Sequence, residues 1–210
     1  MKFIFPTTFR LLDACVEFST SRVHRIVIRE PTGDILYLLS TRRILQAVHK
    51  QHRSLGVSPW LGLKIRASGI GTWGNIHSVT TKDKLKNVVR LMIDFRISSI
   101  PVVDDGNKPI DVLCKADVAL ALHSVKNIEE QFATMNVDEM LSLRPSCEFL
   151  SDEDTVGTVL DTLLCGVSRR CIFLRQKTTE KLVACVSLSD LVSYIMFREG
   201  SENCSKSDDY

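Results

Sequence analysis

The sequence predicts an α/β protein built from three copies of one supersecondary pattern. Three apolar runs of strand length, ILYLL at 35–39, IDVLC at 110–114 and LVACV at 182–186, each end in a short polar segment that opens a helical pattern. Equivalent places in these junctions fall at positions 43, 117 and 190, a spacing of 74 and then 73 residues. A pattern that returns at a nearly constant spacing indicates an internal repeat.

Each repeat is predicted to contain a helix, a strand, a turn, a second strand and a second helix. The first strands are IVI, ISSIPVV and CIFL, and the turns that follow them are EPTGD, DDGNKP and RQKTTEK. Helical stretches precede them, as in VGTVLDTLL, where Val156, Val159 and Leu163 recur at helical spacing. We place the repeats at 5–50, 71–125 and 140–198, with a linker at 51–70 and a disordered polar tail at 199–210.

The composition excludes several classes of protein. Of the 210 residues, 44% are apolar and 25% are charged, which is typical of a globular protein. The net charge of +2 is too balanced for a nucleic-acid-binding protein, and no uncharged run is long enough to cross a membrane. The seven cysteines form no CxxC pair, which favours free thiols in a reducing compartment over disulfides or a metal site. We expect a cytoplasmic protein, present also in the nucleus, with neither nucleic acid nor membrane as a partner.

The polar junctions before the second helices admit two interpretations. Asp117 and Asp190 each follow a strand directly and enter the first turn of a helix, and Ser187 and Ser189 accompany Asp190. Such residues cap helices, because they accept hydrogen bonds from free N–H groups and complement the helix dipole. An ionised carboxylate also offers two oxygens to a vicinal diol. The residues alone leave both roles open.

Four segments, in order, carry a resemblance to a known family. VHRIVIREPTGDILYLLSTRRIL, GTWGNIHSVTT, RISSIPVVDDGNKPIDVLCKADV and VSLSDLV resemble consecutive parts of the γ regulatory subunits of AMP-activated protein kinase, from about residue 6 to 198. That family consists of four repeats of the cystathionine-β-synthase (CBS) type. The resemblance implies three CBS-type βαββα repeats here, equivalent to the second, third and fourth, with the last two forming one pseudo-two-fold module and the partner of the first missing.

The resemblance also implies a function and a site. Family members are not enzymes: they bind AMP, ADP or ATP between repeats, carry no other cofactor, and assemble with a catalytic α and a scaffolding β subunit. By resemblance, Asp117 and Asp190 contact ribose, while Thr72 and Asn75 line the adenine wall. The positions implied near the phosphates or among the hydroxyls of the cleft are His24, Arg25, Arg42, Arg96, Ser98, Arg144, Arg170, Ser187 and Ser189.

Several residues depart from the family pattern. Arg43 stands where the other two repeats have aspartate, and an arginine cannot accept a hydrogen bond from a diol. Cys114 replaces a serine, Arg169 replaces a histidine, and His77 replaces a small residue of the adenine pocket. Two alternatives to the nucleotide sensor therefore stay open: a scaffold that assembles with the kinase without binding nucleotide, and a regulatory module of another enzyme or a transporter.

Two further expectations concern catalysis and assembly. No nucleophile elbow, Walker loop or run of metal ligands joins the Cys, His and Asp residues, so a hydrolase or transferase is disfavoured. A first repeat without a partner exposes an apolar face. We therefore expect self-association through residues 1–50, or coverage of that segment by another subunit.

Overall fold

The computed structural model describes residues 4–6, 8–21, 23–55, 59–123, 132–142, 147–165 and 170–202. Its strands and helices, in chain order, are β1 (Ile4–Pro6), α1 (Leu11–Thr20), β2 (Arg25–Arg29), β3 (Ile35–Ser40), α2 (Thr41–Leu55), α3 (Ile65–Ser68), β4 (Thr72–Trp73), α4 (Leu85–Asp94), β5 (Ser99–Val103), β6 (Pro109–Cys114), α5 (Lys115–His123), α6 (Val137–Leu141), β7 (Leu150–Ser151), α7 (Val156–Cys165), β8 (Cys171–Arg175), β9 (Leu182–Ser187) and α8 (Leu188–Glu202). The predicted order of helix, strand, strand and helix is confirmed in all three repeats.

The chain divides into two compact units. Unit 1 comprises Met1–Gly71, Asp154–Cys171 and Val186–Tyr210, and unit 2 comprises Thr72–Glu153 and Ile172–Cys185. Unit 1 therefore combines the first repeat with the helices of the third. Unit 2 combines the second repeat with most of the third repeat's sheet.

Unit 1 contains a small sheet in the order β1-β2-β3. Strand β1 runs parallel to β2, and β2 forms an antiparallel hairpin with β3. The apolar side chain of Ile26 in β2 is fully buried, whereas the first four residues of β3 are exposed. Strand β3 is thus an edge strand with little cover.

The helices of the first repeat pack on those of the third. Helices α1 and α2 both contact α8, and α2 also contacts α7. Phe18, Leu45 and Leu191, one from each of α1, α2 and α8, are buried in this cluster. The expectation that the first repeat has no partner in the chain therefore does not hold for its helices, because they contact helices that lie far along the sequence.

Unit 2 has its core beneath the β5–β6 hairpin. Leu85, Val88 and Met92 recur along one face of α4 and are fully buried, as helical periodicity predicts. Val79 pairs in parallel with Val102 and takes the place of the short leading strand seen in the other repeats. A second sheet of this unit has the order β4-β9-β8-β7, with β7 parallel to β8.

The predicted linker and tail contain regular structure. Helix α2 continues to Leu55, and a 3₁₀ helix at Pro59–Gly62 and α3 follow it. Helix α7 packs closely on this segment, since a Cβ atom at Gly157 would lie 3.1 Å from the carbonyl oxygen of Leu61. Helix α8 continues to Glu202, four residues into the predicted disordered tail, and 203–210 lie outside the described residues.

Two properties predicted from composition can be compared with the structure. The six cysteines in the described part of the chain are free thiols, and burial raises the pKa of the Cys15 thiol above its usual range. Among the described helices, none combines the length and the apolar character that crossing a bilayer requires.

Candidate functional site

One backbone hydrogen bond recurs at the start of the second helix of every repeat. The first residue of α2, of α5 and of α8 donates its N–H to the carbonyl oxygen of His24 (3.2 Å), Ser98 (3.0 Å) and Arg170 (3.0 Å), respectively. These three residues, which the sequence singles out separately, therefore occupy equivalent positions. Each lies beside the N-terminus of a helix, the end that favours anions.

Asp190 and Ser187 form a reciprocal cap at the start of α8. The Asp190 N–H donates to Ser187 Oγ at 3.2 Å, while the N–H and hydroxyl of Ser187 donate to Asp190 Oδ2 at 2.8 and 2.7 Å. This is the capping-box arrangement, with aspartate in the place of the usual glutamate. Of the two interpretations of Asp190, the structure therefore shows capping, and the contact with ribose stays a prediction.

The other two repeats each carry only one of the two residue types of this cap. In the second repeat the Cys114 N–H donates to Asp117 Oδ2 at 2.8 Å, and a thiol that accepts a hydrogen bond from Ser99 at 3.3 Å stands in place of the hydroxyl. In the first repeat the Arg43 N–H donates to Ser40 Oγ at 3.4 Å, and the position of the aspartate is taken by an arginine. Serine and aspartate therefore occur together at this junction only in the third repeat.

The two oxygens of the Asp190 carboxylate differ in their hydrogen bonding. Asp190 is half-buried, and its Oδ1 accepts no hydrogen bond from any residue that the structure describes. An ionised carboxylate oxygen accepts hydrogen bonds and donates none. The position therefore suits a neutral donor such as a hydroxyl pair.

His24 and Arg170 lie beside the start of α8 in unit 1. Ser189 Oγ is 3.4 Å from Nδ1 of His24, so a residue of the first repeat contacts the start of α8. Partial burial of the imidazole, followed by the charge of Arg170, lowers the pKa of His24. Arg170 supplies a positive charge at this place, and His24 supplies a mainly neutral imidazole at neutral pH.

Arg42 has a structural partner in the same unit. Its Nη1 donates to the carbonyl oxygen of Leu164 at 3.1 Å, near the C-terminus of α7. Helix ends leave such carbonyl oxygens without intrahelical partners, and a cation there also complements the dipole. Arg25, at the start of β2, is exposed.

Among the described residues, five of the predicted site residues belong to unit 2. Thr72 pairs with Cys185 across β4 and β9, whereas Asn75 lies just beyond β4 with a φ of +46°. Gly74, between them, has a φ of +69°, which glycine adopts without strain. The other three are Arg96, Ser98 and Asp117.

The segment that follows α4 brings an exposed arginine and an aromatic pair together. Arg96 is exposed and has a φ of +54°. The preceding Phe95 stacks on the ring of His77, with a centroid distance of 3.6 Å and an interplanar angle of 24°. The histidine that departs from the family pattern is therefore held against an aromatic ring of its own unit. Two other predicted positions, Arg144 and Arg169, lie outside the described residues.

The structure also shows a contact that the sequence analysis did not find. His49 Nε2 lies 2.8 Å from Asp161 Oδ1 and links α2 to α7. No local pattern signals this pair, because its members lie in different repeats. It fixes the helix packing that holds Arg42 close to the end of α7.

Comparisons with known proteins agree with this fold. Residues 70–124 match the family model of the CBS domain. The chain also aligns with a Methanocaldococcus jannaschii protein proposed to be an archaeal γ-AMPK homologue, with a TM-score of 0.70 and 15% identity, over 92% of this chain and 66% of that one. The CBS-pair protein CBSX2 from Arabidopsis thaliana, solved in complex with AMP, gives a TM-score of 0.53 and 17% identity over 66% of this chain and 99% of that one. The chain therefore has the mixed α/β fold of CBS-domain proteins.

A comparison with curated proteins finds relatives of this chain by sequence. The chain is 26% identical over 191 residues to the γ-3 subunit of AMP-activated protein kinase from Sus scrofa, a match that covers 89% of this chain and 36% of the pig protein. The chain is also 26% identical to the γ subunit from Dictyostelium discoideum, and this match covers 33% of that protein. The AMP-activated protein kinase γ subunits are thus relatives of this chain over most of its length, and it spans about a third of the length of those relatives.

Proposed function

We propose that this chain is a non-catalytic, γ-type regulatory subunit of AMP-activated protein kinase that binds AMP, ADP or ATP and responds to their balance. The observation that carries the proposal is the start of α8, where one carboxylate oxygen of Asp190 accepts no hydrogen bond from the described residues and where His24 and Arg170 contact the neighbouring residues Ser189 and Leu188. The similarity to γ subunits and the AMP complex of a CBS-pair protein of the same fold support it.

The proposed binding mode divides the nucleotide between two kinds of group. Asp190 Oδ1 accepts hydrogen bonds from the ribose hydroxyls, while the phosphate lies against Arg170 and the positive end of α8. His24 takes up a proton when the phosphate arrives, because an adjacent anion favours the charged imidazole. In unit 2, Asp117 and Ser98 form a second site, at the positions that Asp190 and Arg170 occupy in the third repeat. This site is altered, because Cys114 stands where Ser187 supplies a hydroxyl.

Regulation follows from a difference in affinity. A nucleotide shifts the kinase complex between two arrangements only by the extent to which it binds one arrangement more tightly. A micromolar site corresponds to about 8 kcal/mol of binding free energy, which suffices for a response to cellular nucleotides. We propose that the chain exerts this effect as one subunit of a heterotrimer with catalytic α and scaffolding β subunits.

A scaffold that binds no nucleotide is the second candidate, and specific contacts favour it. Asp190 and Arg42 both have structural partners, Ser187 and the Leu164 carbonyl, that account for them without a ligand. His77 departs from the family pattern, and its stacking on Phe95 likewise explains this histidine as a packing contact that needs no ligand. In this case the chain would assemble with α and β and ignore AMP.

Two measurements on the full chain separate these functions. Isothermal titration with AMP and with ATP is expected to give saturable heat, and co-expression with α and β subunits is expected to yield one complex. Assembly without heat or thermal shift at high AMP identifies the scaffold. Nucleotide binding without assembly identifies a regulatory module of another protein, and would overturn the kinase part of the proposal.

A further inference from the structure

The β3 strand, residues Ile35–Ser40, exposes an unusual amount of apolar surface. Four consecutive residues are exposed, at 73% for Ile35, 56% for Leu36, 44% for Tyr37 and 47% for Leu38. Consecutive side chains of a strand point to opposite faces of a sheet. The exposure therefore affects both faces of β3, and not only a solvent-facing side.

The equivalent strands of the other repeats are covered. In β9, Leu182, Ala184 and Val186 are buried, and in β6, Val112 and Leu113 are buried. The second strand of the repeat thus has buried apolar residues in the second and third repeats and is mostly exposed in the first. An uncovered apolar strand whose counterparts are buried indicates an interaction surface.

Strand β3 also lies at the edge of its sheet and lacks the usual protection. The order β1-β2-β3 leaves one side of β3 without a paired strand among the described residues. Edge strands are commonly protected by a charge, a proline, a short length or a covering segment. The six residues of β3 contain neither charge nor proline, and the exposure of the first four shows that no described segment covers them.

We propose that β3 pairs antiparallel with β3 of a second copy of this chain, forming a continuous six-stranded sheet across a two-fold axis. An isologous contact of this kind must bring the same strand of each copy together in opposite directions. The free N–H and C=O groups of the two edges then pair, and the apolar side chains meet across the new junction.

Charges at the two ends of β3 favour a second copy as the occupant. Asp34 precedes the strand, and Arg43 lies in the first turn of α2, directly after it. Antiparallel pairing brings Asp34 of each copy to the positive N-terminus of the partner's α2, near the partner's Arg43. Asp34 and Arg43 are both exposed, and within the described residues neither side chain forms an ion pair. The two ends of the strand are therefore complementary to each other in charge.

The first test is the concentration dependence of assembly in the purified full chain. Sedimentation velocity is expected to show a monomer–dimer equilibrium, and hydrogen exchange within 35–40 is expected to slow as the dimer forms. Leu38→Lys should leave the chain folded by circular dichroism and shift it to monomer. Leu120→Lys is the matched control, since Leu120 is 71% exposed on α5 of unit 2, and it should dimerise like the unmodified chain.

A charge exchange then tests the pairing itself. Asp34→Arg is expected to weaken the dimer by about tenfold, because two contacts per dimer change from attractive to repulsive. Arg43→Asp should weaken it similarly, and the double exchange should restore most of the lost affinity. A chain that stays monomeric at every concentration would overturn the proposal, as would a dimer indifferent to Leu38→Lys or not restored by the double exchange. None of these outcomes depends on nucleotide binding.

Discussion

Replacing Asp190 with alanine separates the two roles of its carboxylate. As a cap, Asp190 accepts hydrogen bonds from the N–H and hydroxyl of Ser187 at 2.8 and 2.7 Å, so the variant should lose about 1 kcal/mol of unfolding free energy. As a ribose ligand, it should also lose a charged hydrogen bond worth about 1.5–3 kcal/mol of binding free energy. That loss corresponds to a weakening of AMP binding by roughly 10- to 150-fold.

A comparison of AMP with 2′-deoxy-AMP isolates the second role. The unmodified chain should bind AMP more tightly than 2′-deoxy-AMP by calorimetry, and Asp190→Ala should bind both about equally. Ser187→Ala is the control, because it disrupts the cap and keeps the carboxylate. It should lose stability in urea denaturation and still discriminate between the two nucleotides.

The same two ligands supply the result that would refute this reasoning. If folded Asp190→Ala prefers AMP over 2′-deoxy-AMP as strongly as the unmodified chain does, then Asp190 does not hold the ribose. Its presence at the start of α8 would then be explained by capping alone.

Three further predictions concern the same region of each repeat. Cys114→Ser should raise the unfolding free energy by about 0.5 kcal/mol or more, measured in urea, because a hydroxyl is a stronger hydrogen-bond donor and acceptor in this cap than a thiol; an unchanged midpoint would contradict this. Because burial and then the charge of Arg170 lower the pKa of His24, that residue favours the folded state fully above about pH 6.5, and this contribution is lost as pH falls through the lowered pKa. His24→Gln should therefore flatten the fall in stability between neutral and mildly acidic pH, and an identical pH profile would count against it. Arg42→Ala should cost about 1 kcal/mol or more of thermal stability, because it removes the hydrogen bond to the Leu164 carbonyl oxygen, and an unchanged melting temperature would show that this bond contributes little.

The order of secondary structure and much of the local chemistry of the site could be predicted from sequence. Hydrophobic periodicity places Val88 and Met92 on the buried face of α4, and the spacing of Ser187 and Asp190 defines a cap over three residues. Such features depend on neighbours within one turn of helix or one strand, so the sequence near them contains the necessary information.

The long-range contacts required the structure. Ser189 and His24 are 165 residues apart in the chain, and Arg42 and Leu164 are 122 apart. A polar side chain at each of these positions could contact a ligand, solvent or a distant residue. Only the tertiary packing decides which of these contacts forms. For the same reason, the sequence predicted a ligand contact for Arg42 but not its contact with a helix end.

The amino-acid sequence by itself determined a threefold repeat of α/β elements and a helix start that carries aspartate in two of its three copies, because periodicity and capping act between near neighbours. The tertiary structure alone decided that the helices of the first repeat pack on α8 and that β3 remains uncovered while its counterparts are buried. Burial depends on which distant surfaces meet, and three strands of similar apolar character differ in exposure only because of what lies against them.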